Sequence, residues 1–159
     1  MTIGEHGSKD YETILDELQL EQSHTTRIFP ESTELGIEFT AGTPANSWSA
    51  WAEIEDDTPV TPVKFSSKAA TEDLHICAIQ IEALSDDDNR YMLEIAYGDA
   101  KTVVARHRFI SGVTKKLEAV TFARIRARHV PAGETIYYRM KCEVAGGTCE
   151  ISVRYHFHE

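Results

Sequence analysis

The chain of 159 residues has 42% hydrophobic and 26% charged residues, which is typical of a globular domain large enough to bury a core. No apolar run approaches the ~20 residues that a membrane helix needs, and the first residues lack the apolar segment of a signal peptide. We therefore expect no membrane association and no Sec-type secretion. A formal net charge of -10 argues against wholesale nucleic-acid binding, and three cysteines are too few for a disulfide scaffold.

The charge is unevenly distributed along the chain. Residues 1–100 contain 5 Lys/Arg and 21 Asp/Glu, a balance of -16, whereas residues 101–159 contain 11 Lys/Arg and 5 Asp/Glu, a balance of +6. This asymmetry predicts either complementary pairing inside one fold or head-to-tail contact between copies, and the sequence leaves both open.

The first predicted element is a helix over residues 8–22, within an N-terminal arm that spans residues 1–35. Ser8 or Asp10 can cap it, and its early acidic residues suit the positive end of the helix dipole. Apolar residues at helical spacing, among them Ile14 and Leu18, form one stripe. We expect that stripe to pack on the same domain or to dock on a neighbouring subunit.

From residue 36 onward the pattern is that of β-strands separated by turns. The predicted strands are 36–42, 46–55, 74–84, 90–98, 101–110, 119–130, 135–144 and 148–157, with 56–65 as an edge or loop because it carries two prolines. The segment 86–89 is predicted as a hairpin turn. About eight strands at this spacing predict an all-β fold, and we interpret residues 36–159 as a jelly-roll β-sandwich of antiparallel strands.

The last two predicted strands form a hairpin whose register is selected by charge. The register that opposes Lys141 to Glu150 avoids like-charged pairs and places Cys142 opposite Cys149. Two inward thiols at such positions are within reach of a disulfide. Two reduced, buried cysteines are the alternative, which we favour for a protein made in the cytosol.

The same charge test gives a different result at the segment VPAGE (130–134). A tight hairpin there opposes Arg126 to Arg139 and Arg124 to Lys141, which is unfavourable. The sequence therefore predicts a corner at which the chain crosses between two sheets.

Motifs for common chemistry are absent: there is no HExxH, CxxC, P-loop, GxGxxG or Gly-x-Ser-x-Gly pattern. The sequence therefore offers no candidate catalytic residue, no cofactor site and no metal site. His156 and His158 alternate on the last predicted strand and would need a third ligand to bind a metal, so a solvated face is the interpretation we favour. A cupin-type metalloenzyme is a weaker alternative, because no GxHxH-type cluster occurs.

Two sets of side chains are candidates for binding. Trp48 and Trp51 fall on opposite faces of predicted strand 46–55, so one is expected in the core while the other could stack on a sugar or fill a subunit interface. Arginines alternate on two later strands, at Arg106 and Arg108 and at Arg124, Arg126 and Arg128. They are expected to face outward and to pair with carboxylates, within the subunit or across an interface.

Four segments in order, GTPANSWSAWAEI (42–54), YMLEIAYGDA (91–100), VPAGETIYYRM (130–140) and CEISVRYHFHE (149–159), resemble a group of tailed-phage virion proteins with jelly-roll domains. The resemblance covers roughly residues 40–159. It implies a non-enzymatic structural role as a capsid decoration, turret or collar subunit, or in a tail assembly. It also implies a homo-oligomer, with a trimer favoured, that contacts other virion proteins such as the major capsid protein after assembly in the host cytoplasm.

The acidic N-terminal helix and the basic later strands depart from that family pattern and leave the position in the particle open. A carbohydrate-binding or adhesion module that uses Trp48 or Trp51 is the second hypothesis.

Overall fold

The computed structural model of the chain describes residues 26–112, 121–124 and 128–157, and for 121–124 it describes the backbone alone. Within these residues it contains nine β-strands and one short 3-10 helix, Phe65–Ala69. The predicted helix 8–22, with Ile14 and Leu18, lies outside the described residues, as do Arg126 and His158. The strands are β1 (Arg27–Phe29), β2 (Ile37–Thr40), β3 (Ala52–Glu53), β4 (Leu74–Leu84), β5 (Arg90–Tyr97), β6 (Thr102–Ile110), β7 (Thr121–Arg124), β8 (Ile136–Cys142) and β9 (Thr148–Phe157).

The strands form two antiparallel sheets. In sheet A, β1 and β2 pair with one side of β9, β4 pairs with its other side, and β7 pairs with β4. In sheet B the order is β3-β8-β5-β6. The expected all-β, antiparallel fold is confirmed, and the jelly-roll topology stays a prediction. β1 lies within the predicted arm 1–35 and pairs with β9.

Both sheets turn one side toward a shared core, because apolar residues recur at every second position of the long strands. Tyr91, Leu93 and Ile95 of β5 are buried as the alternation predicts, and they belong to the same apolar cluster as Ile151 and Val153 of β9. Their neighbours in sequence point away from the core. The outward sides of the two sheets therefore carry the polar and charged residues that concern function.

Most connections cross from one sheet to the other. The predicted corner at 130–134 is confirmed, because β7 belongs to sheet A and β8 to sheet B. The predicted hairpin at 86–89 is wrong, because β4 lies in sheet A and β5 in sheet B. The predicted C-terminal hairpin is also wrong, because β8 lies in sheet B and β9 in sheet A. In the second case Gly146, at φ 67°, lets the backbone take a left-handed turn between the sheets.

The predicted strand 46–55 is largely a loop, since only Ala52 and Glu53 pair with β8. Residues 42–51, here called the tryptophan loop, instead run along the edge of β8. The described part of the chain contains no helix of the length and apolarity needed to cross a membrane.

Candidate functional site

The centre of the outward side of sheet B is a buried carboxylate held by two arginines. Glu94 of β5 lies directly between Arg139 of β8 and Arg106 of β6 in the strand register. Arg139 Nε donates to Glu94 Oε2 at 2.6 Å, and Arg106 donates Nε to Oε1 at 2.5 Å and places its Nη2 against the same oxygen. The Glu94 side chain is 0% exposed. Burial of a carboxylate is costly unless it is paired and hydrogen-bonded, and here both oxygens are.

Two tryptophans cover this ion pair. The guanidinium carbon of Arg139 lies 4.5 Å from the ring centroid of Trp48 and 4.6 Å from that of Trp51. Lys141 Nζ lies 4.9 Å from the Trp48 ring. These distances are in the range of cation–π attraction, worth about 0.5–2 kcal/mol each. The predicted placement of the tryptophans on opposite faces of a strand is wrong: both are half-buried and both contact Arg139.

The tryptophan loop is attached by hydrogen bonds to the part of β8 that lies beyond its short pairing with β3. Ser49 N donates to Met140 O at 2.9 Å, and Met140 N donates to Ser49 Oγ at 3.0 Å. A side chain at Gly42 would bring its Cβ to 2.5 Å from the carbonyl carbon and oxygen of Trp48. Glycine is therefore required where the loop folds back on itself, and this close approach brings Trp48 over β8.

Beside this cluster the same side of sheet B forms a cavity of about 280 Å3 rich in cationic side chains. In the strand register Met92 lies between Lys141 and Arg108, one row along from Glu94. Arg90 and Asn46 also line the cavity, together with Glu143, which forms an ion pair with Arg90 at 3.0 Å. Arg108 and Lys141 form no ion pair with any residue that the structure describes.

We call the part of the outward side of sheet B around Glu94 and the cavity the basic face, because five cations share it with two carboxylates, Glu94 and Glu143. Its cations are Arg90, Arg106, Arg108, Arg139 and Lys141. Farther along the same side, Glu53 of β3 forms an ion pair with Lys64. Arg90 lowers the pKa of Glu143 through backbone and side-chain hydrogen bonds and its charge, and Arg108 adds to this through its charge. The edge strand β6 also exposes Val103 (38%) and Ile110 (56%). The surface therefore combines uncompensated positive charge with apolar contact area.

The outward side of sheet A has the opposite charge at one end. Glu38 of β2 pairs in register with Glu150 of β9, so that like charges oppose each other, and Glu82 and Asp57 lie nearby. Burial raises the pKa of Glu150, and the negative charges of Glu82, Asp57 and Glu38 raise it further. We call these four carboxylates the acidic group. None of them forms an ion pair within the described residues.

The predicted arginine positions separate in the structure. Arg106 and Arg108 are exposed on β6 of sheet B, whereas Arg124 lies in β7 of sheet A and Arg128 is exposed beyond the end of that strand. The side chains of Arg124 and Arg126 lie outside the described residues. The arginines therefore do not form a single stripe.

Sequence reasoning missed five charged residues of this site: Arg90, Glu94, Arg139, Lys141 and Glu143. Arg139 and Lys141 alternate on one side of β8, as Arg106 and Arg108 do on β6. That alternation was a usable signal, but joining the two rows requires knowing that β5 lies between β8 and β6.

The cysteines are free thiols in this fold. Cys142 and Cys149 are buried on strands of different sheets and do not face each other across a hairpin, so the predicted register is wrong. Burial raises the pKa of the Cys149 thiol well above its usual value, and burial likewise raises that of Cys77. Raised values keep both thiols protonated and slow to react at neutral pH.

Three histidines meet on the outward side of sheet A. His75 Nδ1 lies 3.3 Å from His156 Nε2, and the His129 ring lies 5.2 Å from the His75 ring. Sequence reasoning singled out His156 but not its two neighbours. Over the described ranges, no group of three or more His, Cys, Asp or Glu side chains is arranged to hold a metal ion.

Comparisons with known proteins give one structural likeness. No protein-family model matches the chain, and no curated protein matches it significantly. A solved structure titled "Structure of infectious bursal disease virus Gt strain" is similar to this chain with a TM-score of 0.39 and 10% sequence identity. The similarity covers 86% of this chain and 33% of the viral chain, so the protein spans about a third of the length of that relative.

Proposed function

We propose that this protein is a non-enzymatic structural subunit of a virion that assembles through contacts between copies of itself. The observation that carries the proposal is the basic face, a broad strand surface with exposed apolar residues and more positive than negative charge. Such a mixture of aromatic, apolar and arginine side chains is typical of protein–protein interfaces. The resemblance of four segments, in their order, to jelly-roll virion proteins of tailed phages supports the virion setting.

The rigidity of this surface also supports a structural role. Glu94 holds Arg106 and Arg139 in place, and Trp48 and Trp51 hold Arg139 from the other side. Because these side chains are already ordered, a partner that docks on them loses little further side-chain entropy. Within the proposal the protein is a capsid decoration or a turret or collar subunit. It contacts its own copies, with a trimer favoured, and other virion proteins such as the major capsid protein.

The predicted N-terminal arm supplies a second contact in this proposal. Its apolar stripe, which includes Ile14 and Leu18, packs on a neighbouring subunit. Deletion of residues 1–22 is therefore expected to weaken association.

Light scattering combined with size-exclusion chromatography tests the self-association. We expect oligomers at about 50 mM salt that dissociate in part at about 500 mM, because pairs of exposed charges are screened by salt. A monomer at every concentration and at both salt levels would sink the proposal. Mass spectrometry of virus particles purified from the encoding source tests the virion setting, and absence of the protein from such particles would contradict it.

A glycan-binding module is the second candidate, favoured by the half-buried positions of Trp48 and Trp51 on one surface. Against it, Arg139 lies over both rings, so at least one side of each ring is already in contact with a cation. Glycan arrays probed with the wild type and with the variants Trp48→Ala and Trp51→Ala separate the two candidates. A structural subunit gives no glycan signal, whereas a signal that either variant abolishes would establish the module.

A further inference from the structure

The cavity of the basic face contains more cations than anions. Arg90, Arg108 and Lys141 converge on it, and Glu143 is the one carboxylate among its lining residues. Arg90 already pairs with Glu143, which leaves Arg108 and Lys141 to bind an anion from outside. A guanidinium and an ammonium beside the thioether of Met92 suit carboxylates carried on short aliphatic stems.

The acidic group of sheet A has an excess of negative charge and lacks cations to balance it. Glu38 and Glu150 are direct cross-strand neighbours, an arrangement that costs about 0.2–1 kcal/mol in an isolated sheet. Asp57 Oδ1 accepts a hydrogen bond from Gly36 N at 3.0 Å, a neutral donor that leaves its charge unbalanced. Cations supplied by another molecule would therefore offset the repulsion among these carboxylates and stabilise the contact.

Cavity and acidic group cannot meet within one subunit, because they lie on the outward sides of sheets that face each other across the core. We propose that the basic cavity of one subunit receives the acidic group of a second copy, so that Arg108 and Lys141 pair with Glu150 and Glu38 in a head-to-tail contact. This inference rests on the proposed function and names the two surfaces that self-association uses.

A head-to-tail contact joins two different surfaces. Each subunit in such a pair keeps one free cavity and one free acidic group, so the contact repeats from copy to copy. Repetition closes into a ring when the rotation per subunit allows it, and otherwise continues as a filament. A ring of this kind matches the oligomer expected for a collar or turret.

Charge reversal on either surface tests the contact in the full chain. Arg108→Glu with Lys141→Glu makes the cavity acidic, and Glu38→Lys with Glu150→Lys makes the acidic group basic. At about 50 mM salt we expect each double variant to lose self-association by at least about tenfold in the association constant. The second variant keeps a like-charged cross-strand pair, so its fold is perturbed little.

Matched controls carry the same change of net charge at exposed sites elsewhere. Arg27→Glu with Lys64→Glu controls the first variant, and Glu34→Lys with Glu72→Lys controls the second; all four positions are exposed. Both controls are expected to have association constants within about threefold of the wild-type value, because screened charges outside a contact change affinity little. Far-ultraviolet circular dichroism and urea midpoints confirm that every variant is folded.

Mixing the two reversed variants gives the decisive result. Each cavity then finds an oppositely charged group on the other variant, so association of the 1:1 mixture is expected to recover. Failure of the mixture to recover, with both variants folded, would overturn the proposed pairing.

Two further outcomes separate this inference from the function on which it rests. If only the cavity variant loses association, the occupant is a different anion, such as the N-terminal segment 1–25 with its six Asp/Glu and one Lys, and the inference falls. If the wild type associates but both reversed variants associate equally well, the inference falls while the proposed function stands. A wild-type protein that remains monomeric would contradict both this inference and the proposed function.

Discussion

Replacing Glu94 with Gln is expected to lower the free energy of unfolding by about 3 kcal/mol. The substitution keeps the size of the side chain and removes its charge, so it isolates the electrostatic role of the carboxylate. Both oxygens of Glu94 accept from guanidinium groups, and the side chain is 0% exposed. An amide offers one acceptor oxygen and places an N–H group against one of the two arginines.

The magnitude follows from the exposure of the two arginines. Arg106 is 62% exposed, so water replaces most of its lost contact, and its share is about 0.5 kcal/mol. Arg139 is 28% exposed beneath two tryptophans, and the loss of a charged hydrogen bond there costs about 2.5 kcal/mol. Truncation of the arginines should reproduce this difference: Arg139→Met is expected to cost several times more than Arg106→Met.

Urea unfolding followed by circular dichroism and by tryptophan fluorescence measures these changes. The chain contains two tryptophans and both contact Arg139, so their emission reports directly on the site. Equal slopes against urea for wild type and variant show that the folded and unfolded states expose the same surface. A loss below about 1 kcal/mol for Glu94→Gln would refute the reasoning, as would an equal cost for the two arginine truncations.

Three further predictions concern the backbone, the acidic group and the thiols. Gly42→Ala would bring a Cβ to 2.5 Å from the backbone it faces, so we expect a loss of about 1–3 kcal/mol in urea unfolding; Gly112→Ala, with no atom within 4 Å, should be neutral. Glu150→Gln should stabilise the monomer by about 0.2–1 kcal/mol at pH 7, and an unchanged midpoint there would contradict the like-charge argument. Because the folded-state pKa of Glu150 is raised, its penalty is present at neutral pH and disappears as pH falls below the unfolded value, so wild type and variant should converge near pH 3. Non-reducing mass spectrometry should count three free thiols, with native alkylation fastest at half-buried Cys77 and slowest at buried Cys149; a count of one would restore the disulfide.

The corner at VPAGE and the C-terminal hairpin show how far a local charge rule can be trusted. Opposed like charges correctly predicted that β7 and β8 do not form a hairpin. The same rule selected a register for β8 and β9, although these strands do not pair at all. It also fails at Glu38 and Glu150, which oppose each other in the register of β2 and β9. A penalty below about 1 kcal/mol is outweighed by burial of the apolar residues on the other side of those strands.

The candidate site was predictable in part. Outward placement of Arg106 and Arg108 follows from the alternation of β6 and was anticipated. Glu94 was missed as a site residue because its position in the alternation of β5 predicts exposure. In the structure its side chain is buried and paired with Arg106 and Arg139. Arg139 is itself in contact with Trp48 and Trp51, which precede Glu94 in sequence by about forty residues.

By itself, the sequence determined the all-β class and the side of each long strand that faces the core. Side chains alternate along a strand with a period of two, so a row of apolar residues specifies one buried side whatever the neighbours are. Only the tertiary structure decided which strands are neighbours. It thereby decided that β8, β5 and β6 combine their outward residues into one basic face, on the opposite side of the core from the acidic group of sheet A. That choice depends on packing between distant segments, because a connection of given length can close a hairpin or cross to the other sheet at similar local cost.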